Sequence, residues 1–382
     1  MSEEFRRKLQ DYEEGKLSEE EQKEVERELE KMEVYQAHVD ELLGKERGEI
    51  DKPMESRKEA KIIRRGKWKA RINTVFSVLL IFVLVTWAGN IFNSTYFGEG
   101  DPSRADTYGD VASFAIMVTH PNVSAHVSGS MGGYLSYEFT GELKKQIGSE
   151  RYTIGQFMLP FRLGLPGIQK MTWSDDHPKT GFFNPPDNPV DMDMQHDWNK
   201  LEKLPEGTVA EAYLSFDQYF TTDEILKQFE GKNLEPVWFA VDAGQQESYD
   251  PIGFPYDLMW HHDDLTITNY KEEKSGWFGK TVMQGGTYPA VEAYGSGELR
   301  NENFIKTLRL IQDYPSIARK VAPFVDFDQI TEYVEANGVK IYGAVVTGPT
   351  KELLRLKQES WVKGIQVSDA RLWNWIFKDT TN

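Results

Sequence analysis

The chain has 382 residues, no cysteine, and 61 Asp and Glu against 44 Lys and Arg. Its formal net charge of −17 argues against direct nucleic-acid binding through charge. The lack of cysteine excludes disulfides, thiolate metal sites and cysteine nucleophiles, so folded domains must be stabilised by their apolar cores. The charge is uneven, with a net −8 over residues 1–50, +6 over 51–71 and −15 over 93–382.

The first fifty residues predict two amphipathic helices that meet near Gly15. The second helix begins after Ser18, which forms a capping-box pattern with Glu21. The apolar faces, expected to contact a partner, consist of Leu9, Tyr12, Leu17, Val25, Leu29, Met32, Tyr35 and Val39. Two short helices with one apolar stripe each bury little surface against each other. We expect this module either to wrap around another protein or to form a hairpin or a homodimeric coiled coil.

A membrane span is predicted at Ile72–Phe92, a run of 21 residues without a charged side chain. As a helix it is about 31 Å long, close to the ~30 Å hydrocarbon core of a bilayer. A buried core helix rarely lacks a polar face over this length, and 71 residues precede the run, which argues against a cleaved signal peptide. We therefore predict one transmembrane helix in contact with the lipid bilayer.

The orientation of this helix follows from the flanking charges. Residues 57–71 hold eight basic side chains and one acidic one, whereas residues 93–110 hold one basic side chain. Lys and Arg are retained on the cytoplasmic side, so we expect a cytoplasmic N-terminus and an extracytoplasmic C-terminus in the cell membrane. Residues 51–71 are then a basic juxtamembrane linker, positioned for anionic lipid rather than for nucleic acid.

The outer region, residues 93–382, predicts a mixed α/β domain with room for two subdomains, about 98–205 and 206–370. The fold class of the whole chain is α+β. Strands are expected at Ala112–Val118, Gln156–Phe161 and Val237–Val241, the last of them fully buried. Helices are expected at Asn301–Tyr314 and Asp326–Ala336, and a turn at Gln284–Gly286.

Two stretches of the outer region share one order of elements. Thr208–Asp217 alternates as a half-buried strand, and Thr221 with Glu224 begins a helix. Val339–Thr347 predicts a second strand, followed by a turn at Gly348–Pro349 and a helix capped by Thr350. This order predicts an internal repeat, although no residue identity supports it.

Three clusters of His and Asp are the candidates for a metal site in an envelope enzyme. They are Asp175–His177, the set Asp191, Asp193, His196 and Asp197, and His261–Asp264. None has an established ligand spacing, and no hydrolase or phosphate-loop motif is present. We expect polar loops, no metal, no cofactor and no enzymatic activity.

The N-terminal residues resemble the cytoplasmic domain of membrane-anchored anti-sigma factors. The resemblance rests on the turn Gly15–Ser18 and on the long acidic helix that follows. Many such proteins carry a zinc site with two cysteines here, and this chain has only His38. Further along, residues 207–229, 236–244 and 251–255 resemble the sigma factor regulator family of Gram-positive bacteria, of the sigma factor M regulator type.

The resemblance implies a single-pass membrane anti-sigma factor. Its cytoplasmic helices would sequester an extracytoplasmic-function sigma factor, and its outer domain would regulate that binding during signal transduction across the envelope. It leaves room for a second membrane regulator as a partner. The alternative is a membrane-tethered receptor or binding protein whose cytoplasmic tail dimerises.

Overall fold

The computed structural model describes residues 11–12, 17–46, 56–132, 135–174, 181–187, 194–244, 250–275 and 279–376. The chain divides into two compact units, Met1–Ile81 and Phe82–Asn382. Each unit is described by itself below. The mixture of helices and strands confirms the α+β fold class.

Two long helices occupy the N-terminal part of the chain. Helix α1 spans Glu19–Glu46, and helix α2 spans Ser56–Gly98. With 43 residues, α2 is about 64 Å long, twice what a bilayer core requires. The basic segment predicted as a linker is therefore helical from residue 56 and continuous with the apolar stretch. Among the described residues, Lys61–Gly98 is the one stretch long and apolar enough to cross a membrane.

The second unit begins with a helix and an antiparallel sheet. Helix α3 is Arg104–Thr119, capped by Ser103, whose side chain accepts from the Asp106 N–H. The strands are β1 (Val123–Met131), β2 (Ser136–Ile147), β3 (Glu150–Arg162), β4 (Leu165–Pro166) and β5 (Lys170–Trp173). They pair in the order β1-β2-β3-β4, with β5 also paired to β3. Helix α3 packs on β1.

A second antiparallel sheet follows, and its topology is that of the split βαβ motif. Its parts are α4 (Met194–Lys203), β6 (Thr208–Phe220), α5 (Thr222–Phe229), β7 (Glu235–Val241), β8 (Gly253–Pro255), β11 (Ile341–Pro349), α9 (Thr350–Arg355) and β12 (Val362–Leu372). The strand order is β12-β6-β11-β7-β8. In this order β11 lies between β6 and β7, and β6 lies between β12 and β11. The two βαβ units, β6-α5-β7 and β11-α9-β12, are therefore interleaved in the sheet.

The predicted internal repeat thus has a counterpart in the topology. The strand–helix pairs β6-α5 and β11-α9 are the first two elements of the two βαβ units. A long insertion separates the units. It contains a 3-10 turn at His262–Asp264, the hairpin β9 (Thr266–Ser275) and β10 (Gly279–Thr287), and the helices α6 (Gly297–Asp313), α7 (Pro315–Val321) and α8 (Phe327–Asn337).

Most apolar side chains of the second unit form one core cluster. It includes residues of α3, of both five-stranded sheets and of α5–α8, for example Val111, Phe139, Phe216 and Phe304. The two sheets therefore share a core, and the boundary between the two expected subdomains is not marked by a break in packing.

Several local predictions are wrong. Ala112–Val118 lies in α3 rather than in a strand, and Gln284–Gly286 lies in β10 rather than in a turn. Gly348–Pro349 ends strand β11. Thr350 is the first residue of α9, and its hydroxyl lies 3.1 Å from that of Thr208 without capping the helix.

The predicted strand at Thr208–Asp217 is correct in position but wrong in burial. Residues 208–216 are buried on both faces because β6 lies between β12 and β11 with packing on each side of the sheet. The strands at Gln156–Phe161 and Val237–Val241 and the capping box of Thr221 and Glu224 are confirmed. The helices at Asn301–Tyr314 and Asp326–Ala336 are also confirmed, apart from shifts at their ends.

Candidate functional site

Helix α1 begins as the sequence predicts. The Glu21 carboxylate accepts hydrogen bonds from the Ser18 backbone N–H at 3.0 Å and from the Ser18 hydroxyl at 2.6 Å. Glu19 and Glu20 lie in the first turn, where negative charge is favourable near the positive end of the helix dipole. The position of the helix along the chain is therefore set by local interactions, which explains why the sequence alone reveals it.

The predicted apolar stripe of α1 divides into a buried and an exposed part. Val25 is 2% exposed, and Leu17, Leu29 and Val39 are half-buried. Met32 is 38% exposed and Tyr35 70% exposed, and Val34, which the sequence analysis did not select, is also exposed. Among the side chains of α1 that the structure describes, up to residue 41, the exposed large apolar ones therefore lie at Met32–Tyr35.

The segment before α1 is tied to the helix through Tyr12. Tyr12 is half-buried, and its hydroxyl donates to Glu26 Oε1 at 3.1 Å. This hydrogen bond to a carboxylate raises the pKa of the Tyr12 hydroxyl. Leu9, the remaining predicted contact residue, lies outside the described residues. Seven of the eight predicted contact residues thus lie on α1 or shortly before it. Their side chains differ in how far they are exposed.

The apolar part of α2 exposes its side chains along its length. Val75, Leu79, Phe82 and Val83 are all more than half exposed, as are Phe76, Val78, Leu80 and Ile81 on other sides of the helix. An all-round apolar surface of this kind is stable in lipid and costly in water. This arrangement agrees with the predicted span.

The C-terminal end of α2 is anchored in the core of the second unit. Phe97 is buried, and its ring stacks on Tyr137 with 4.0 Å between centroids. It also meets Phe161 edge-on at 5.8 Å. Such aromatic contacts add to the free energy gained by burial. The last turn of α2 is thus part of the folded domain rather than a hinge.

Polar contacts hold the same end of the helix. The buried Asn93 donates from Nδ2 to the Ser136 carbonyl at 2.8 Å. Arg104 donates from Nη1 to the Tyr96 carbonyl at 2.6 Å, and its guanidinium lies 4.3 Å from the centre of the Tyr96 ring. Because backbone carbonyls at a helix end lack partners in the helix, Arg104 also satisfies a group that the helix cannot.

A buried ion cluster lies in the second unit. Lys145 on β2 and Glu211 on β6 are both buried, with 2.6 Å between Nζ and Oε2. The Asn122 amide donates to Glu211 Oε1 at 2.7 Å, and the Ser368 hydroxyl donates to Oε2. The cluster links strands of both sheets. The ion pair and the hydrogen bonds to Glu211 offset the free energy that burying either charge alone would cost.

A cavity of about 370 Å³ lies beside this cluster. Its wall includes His120 after α3, Lys145, Gln169, Trp173 on β5 and Phe324 between α7 and α8. The lining is mostly apolar with a few polar groups, which is the usual character of a small-molecule site.

The histidine clusters do not form a metal site among the described residues. His261 Nε2 lies 2.9 Å from the Thr307 hydroxyl, and burial lowers the pKa of His261. Lys306 Nζ lies 2.6 Å from a carboxylate oxygen of each of Asp263 and Asp264. Asp175–His177, Asp191 and Asp193 lie outside the described residues, as does the side chain of His196.

Comparison with known proteins assigns the class. Residues 60–152 match the family model of the sigma factor regulator N-terminal domain, and residues 201–369 match that of the sigma factor regulator C-terminal domain. Together the two models cover about two thirds of the chain. The chain belongs to the sigma factor regulator family, and it is a single-pass membrane protein with a sigma factor as its partner.

A relative of known class resembles the chain over nearly its full length. Over 391 residues the chain is 29% identical to the probable anti-sigma-M factor YhdL of Bacillus subtilis (strain 168), covering 98% of this chain and all of that protein. No solved structure matches the chain. The predicted function, a membrane anti-sigma factor, is confirmed, and the receptor alternative is not favoured. The family points to a regulatory role.

The N-terminal family model begins at residue 60, so both models leave out helix α1. The contact residues on α1 therefore remain a prediction. Neither the anchor of α2 nor the cluster of Lys145 and Glu211 was predicted from the sequence. The run of aromatic residues at the end of α2, Phe92, Tyr96 and Phe97, was the available signal for the anchor.

Proposed function

We propose that residues 1–50 sequester an extracytoplasmic-function sigma factor at the inner face of the cell membrane, and that the outer domain regulates this binding. The name of the Bacillus relative supports a partner of the sigma factor M type. The proposal leaves a second membrane regulator as a further partner, to be identified by co-purification.

The exposed apolar group around Met32–Tyr35 carries the proposal. It lies on a helix whose surroundings are acidic, since residues 1–50 have a net charge of −8. A sigma factor has basic surfaces that bind DNA and apolar surfaces that bind RNA polymerase. An acidic helix with an exposed apolar group is complementary to both. Binding there would prevent the sigma factor from joining the polymerase.

The orientation rests on the charges that flank the span. The helical segment before the span carries eight basic residues between 57 and 71, and the polar stretch after it carries one basic residue up to 110. The positive-inside rule then places α1 in the cytoplasm with its partner and the two sheets outside. An impermeant maleimide applied to whole cells should label a cysteine at Leu372 and should not label one at Glu41.

Regulation by the outer domain is supported by the continuity of α2. One helix runs from Ser56 through the span to Gly98, and its last turn lies in the core of the outer domain through Phe97. A change in the outer domain that moves or releases this turn would be carried through the helix. Proteolysis within the outer region would act on the same element.

The contact group is tested by a pair of substitutions that each add one negative charge to α1. Met32→Glu places the charge in the exposed apolar group, and Ala37→Glu places it about 140° away around the helix at an exposed position. We expect Met32→Glu to reduce co-purification of the sigma factor at least tenfold and to raise transcription from its promoter. Ala37→Glu should change neither.

Equal binding by the two variants would remove Met32 from the interface. Loss of binding in both variants would indicate that added charge, rather than the apolar contact, disrupts the complex. Circular dichroism of each purified full-length variant checks that α1 remains helical. Failure of the unsubstituted chain to retain any extracytoplasmic-function sigma factor would overturn the proposed function itself.

A further inference from the structure

Two leucines have unusual backbone conformations at one end of the first sheet. Leu135 precedes β2 with φ of 56°, and Leu163 follows β3 with φ of 51°. Positive φ is uncommon for residues other than glycine, asparagine and aspartate, because the Cβ atom meets the backbone. The two leucines are joined by a hydrogen bond of 3.0 Å from the Leu163 N–H to the Leu135 carbonyl. Strain of this kind persists where the side chain at that position serves a purpose.

These leucines lie beside the outer end of the membrane helix. A Cβ atom built on Gly89 would lie 3.2 Å from Leu135 Cδ2, so the Leu135 side chain packs closely against α2 there. The next residue of β2, Ser136, accepts from Asn93, and Tyr137 stacks on Phe97. The three successive residues Leu135, Ser136 and Tyr137 therefore contact α2 one turn further out each time. The end of the sheet that carries Leu135 points towards the bilayer.

The contacts also set the depth of this end. Phe92 is the last residue of the predicted span, and Gly89 lies about 4.5 Å inside it along the helix. Leu135, in contact with Gly89, is therefore level with the outermost part of the hydrocarbon. Amphipathic segments at membrane surfaces insert their apolar groups to about 5–10 Å, the same range of depth.

The side chains at this end are apolar and exposed. Leu163 is 59% exposed, and Leu165, which pairs with Arg162 on the neighbouring strand, is 71% exposed. Arg162 is itself exposed on the level of Ser136, its partner in the β2–β3 register, near the lipid phosphates. Leu163 lies one residue inside Arg162, and Leu165 is level with Arg162. Exposed apolar side chains beside a cation at this depth are typical of a segment at a lipid interface.

We propose that Leu135, Leu163 and Leu165, named here the tip surface, insert into the leaflet of the bilayer that adjoins the outer domain. The tip surface adds a second point of membrane contact beside α2. Two contacts fix the tilt and rotation of the domain against the membrane, which one helix cannot do alone. The occupant is bilayer lipid, because the tip surface continues the lipid-facing surface of the span at the same depth.

The absence of native cysteine makes the test direct. Full-length protein with a single cysteine, Leu163→Cys or Leu165→Cys, is labelled with the fluorophore NBD and placed in nanodiscs of phosphatidylcholine and phosphatidylglycerol. Quenching is measured with a nitroxide on the upper acyl chain and, separately, with aqueous iodide. The residue at 165 has no positive φ, so it reports on insertion even where a change at 163 disturbs the turn.

The matched control is Leu372→Cys. Leu372 is apolar and 82% exposed, and it lies near the far end of the sheet, since Asn374 bonds to the Ile147 carbonyl at the end of β2. The 12 residues of β2 place that end roughly 40 Å from the tip surface. An intermediate position is Ile168→Cys, which is exposed and follows Gly167, whose N–H donates to the Pro160 carbonyl further along β3.

We expect lipid nitroxide to quench the labels at 163 and 165 at least twice as strongly as the label at 372, and iodide to show the reverse order. The label at 168 should fall between them. Iodide quenching at 163 and 165 equal to that at 372 would place the tip surface in water and overturn the proposal. Labels at 163 and 165 shielded from both quenchers would also overturn it, since another protein surface would then cover the tip.

Discussion

At the scale of single residues, the buried ion pair of Lys145 and Glu211 joins the two five-stranded sheets. Alternation along β6 placed Glu211 on a solvent face, yet its carboxylate is fully buried. The pattern was real, but the polar face of β6 is covered by a cation from another sheet. A partner 66 positions away in the chain leaves no periodic signal, so the pairing could not be inferred from the sequence.

Removing the charge of Glu211 should destabilise the outer domain strongly. Glu211→Gln leaves the Lys145 ammonium buried without its carboxylate, and such a loss typically costs about 3–5 kcal/mol. The exposed pair of Lys357 and Glu202, 3.1 Å apart, is the matched control, because Glu202→Gln should cost less than about 1 kcal/mol. Urea unfolding of the purified protein, followed by tryptophan fluorescence, measures both.

The pair of changes Lys145→Met and Glu211→Gln should recover part of the loss, since it removes both charges. A single variant Glu211→Gln that unfolds at the same urea concentration as the unsubstituted protein would show that Lys145 gains solvent when its partner is removed.

At the scale of elements, predictions succeeded where local chemistry determines the structure. The start of α1 at Ser18 and the start of α5 at Thr221 follow from capping interactions within four residues. The prediction at Ala112–Val118 failed because a short apolar run is compatible with a buried helix as well as with a strand. Ser103 and Asp106, which cap α3, were the overlooked local signal.

The candidate site shows the same division. The apolar stripe of α1 was predicted residue by residue from its period, because an amphipathic helix records its own faces. The division of this stripe into a buried part around Val25 and an exposed part around Met32 was not predicted, since burial depends on what packs on the helix. The anchor at Phe97 depends on Tyr137 and Phe161, which reach it only through the fold of the sheet.

The anchor of α2 should be sensitive to one aromatic ring. Phe97→Ala removes a fully enclosed side chain and should cost about 3–5 kcal/mol of outer-domain stability. Phe76→Ala, within the exposed part of the span, removes the same atoms where lipid can fill the space, so little change is expected. Thermal unfolding in detergent, followed by near-ultraviolet circular dichroism, compares the two. Equal losses in both variants would show that the ring at 97 is not specifically packed.

At the scale of the whole molecule, the predicted partner-binding residues and the helix that contains the span occupy different parts of the chain. All predicted contact residues precede residue 40, whereas α2 begins at Ser56. The sequence between them contains Pro53, which disfavours a continuous helix. In the proposed function, sigma factor binding and membrane attachment therefore reside in different segments, and an engineered protease site after Lys52 can separate them in living cells.

We expect cleavage at that site to move the sigma factor from the membrane fraction to the soluble fraction while its promoter remains inactive. The reason is that cleavage leaves every contact of residues 9–39 intact and removes only the tether. Fractionation with immunoblotting and a promoter reporter measure the two effects, and the same protease site placed after Trp373 serves as the control for expression of the protease. A reporter that rises on cleavage after Lys52 would mean that inhibition requires attachment to α2. Regulated proteolysis in the outer region would then act by releasing the tether, rather than by changing how α1 contacts the sigma factor.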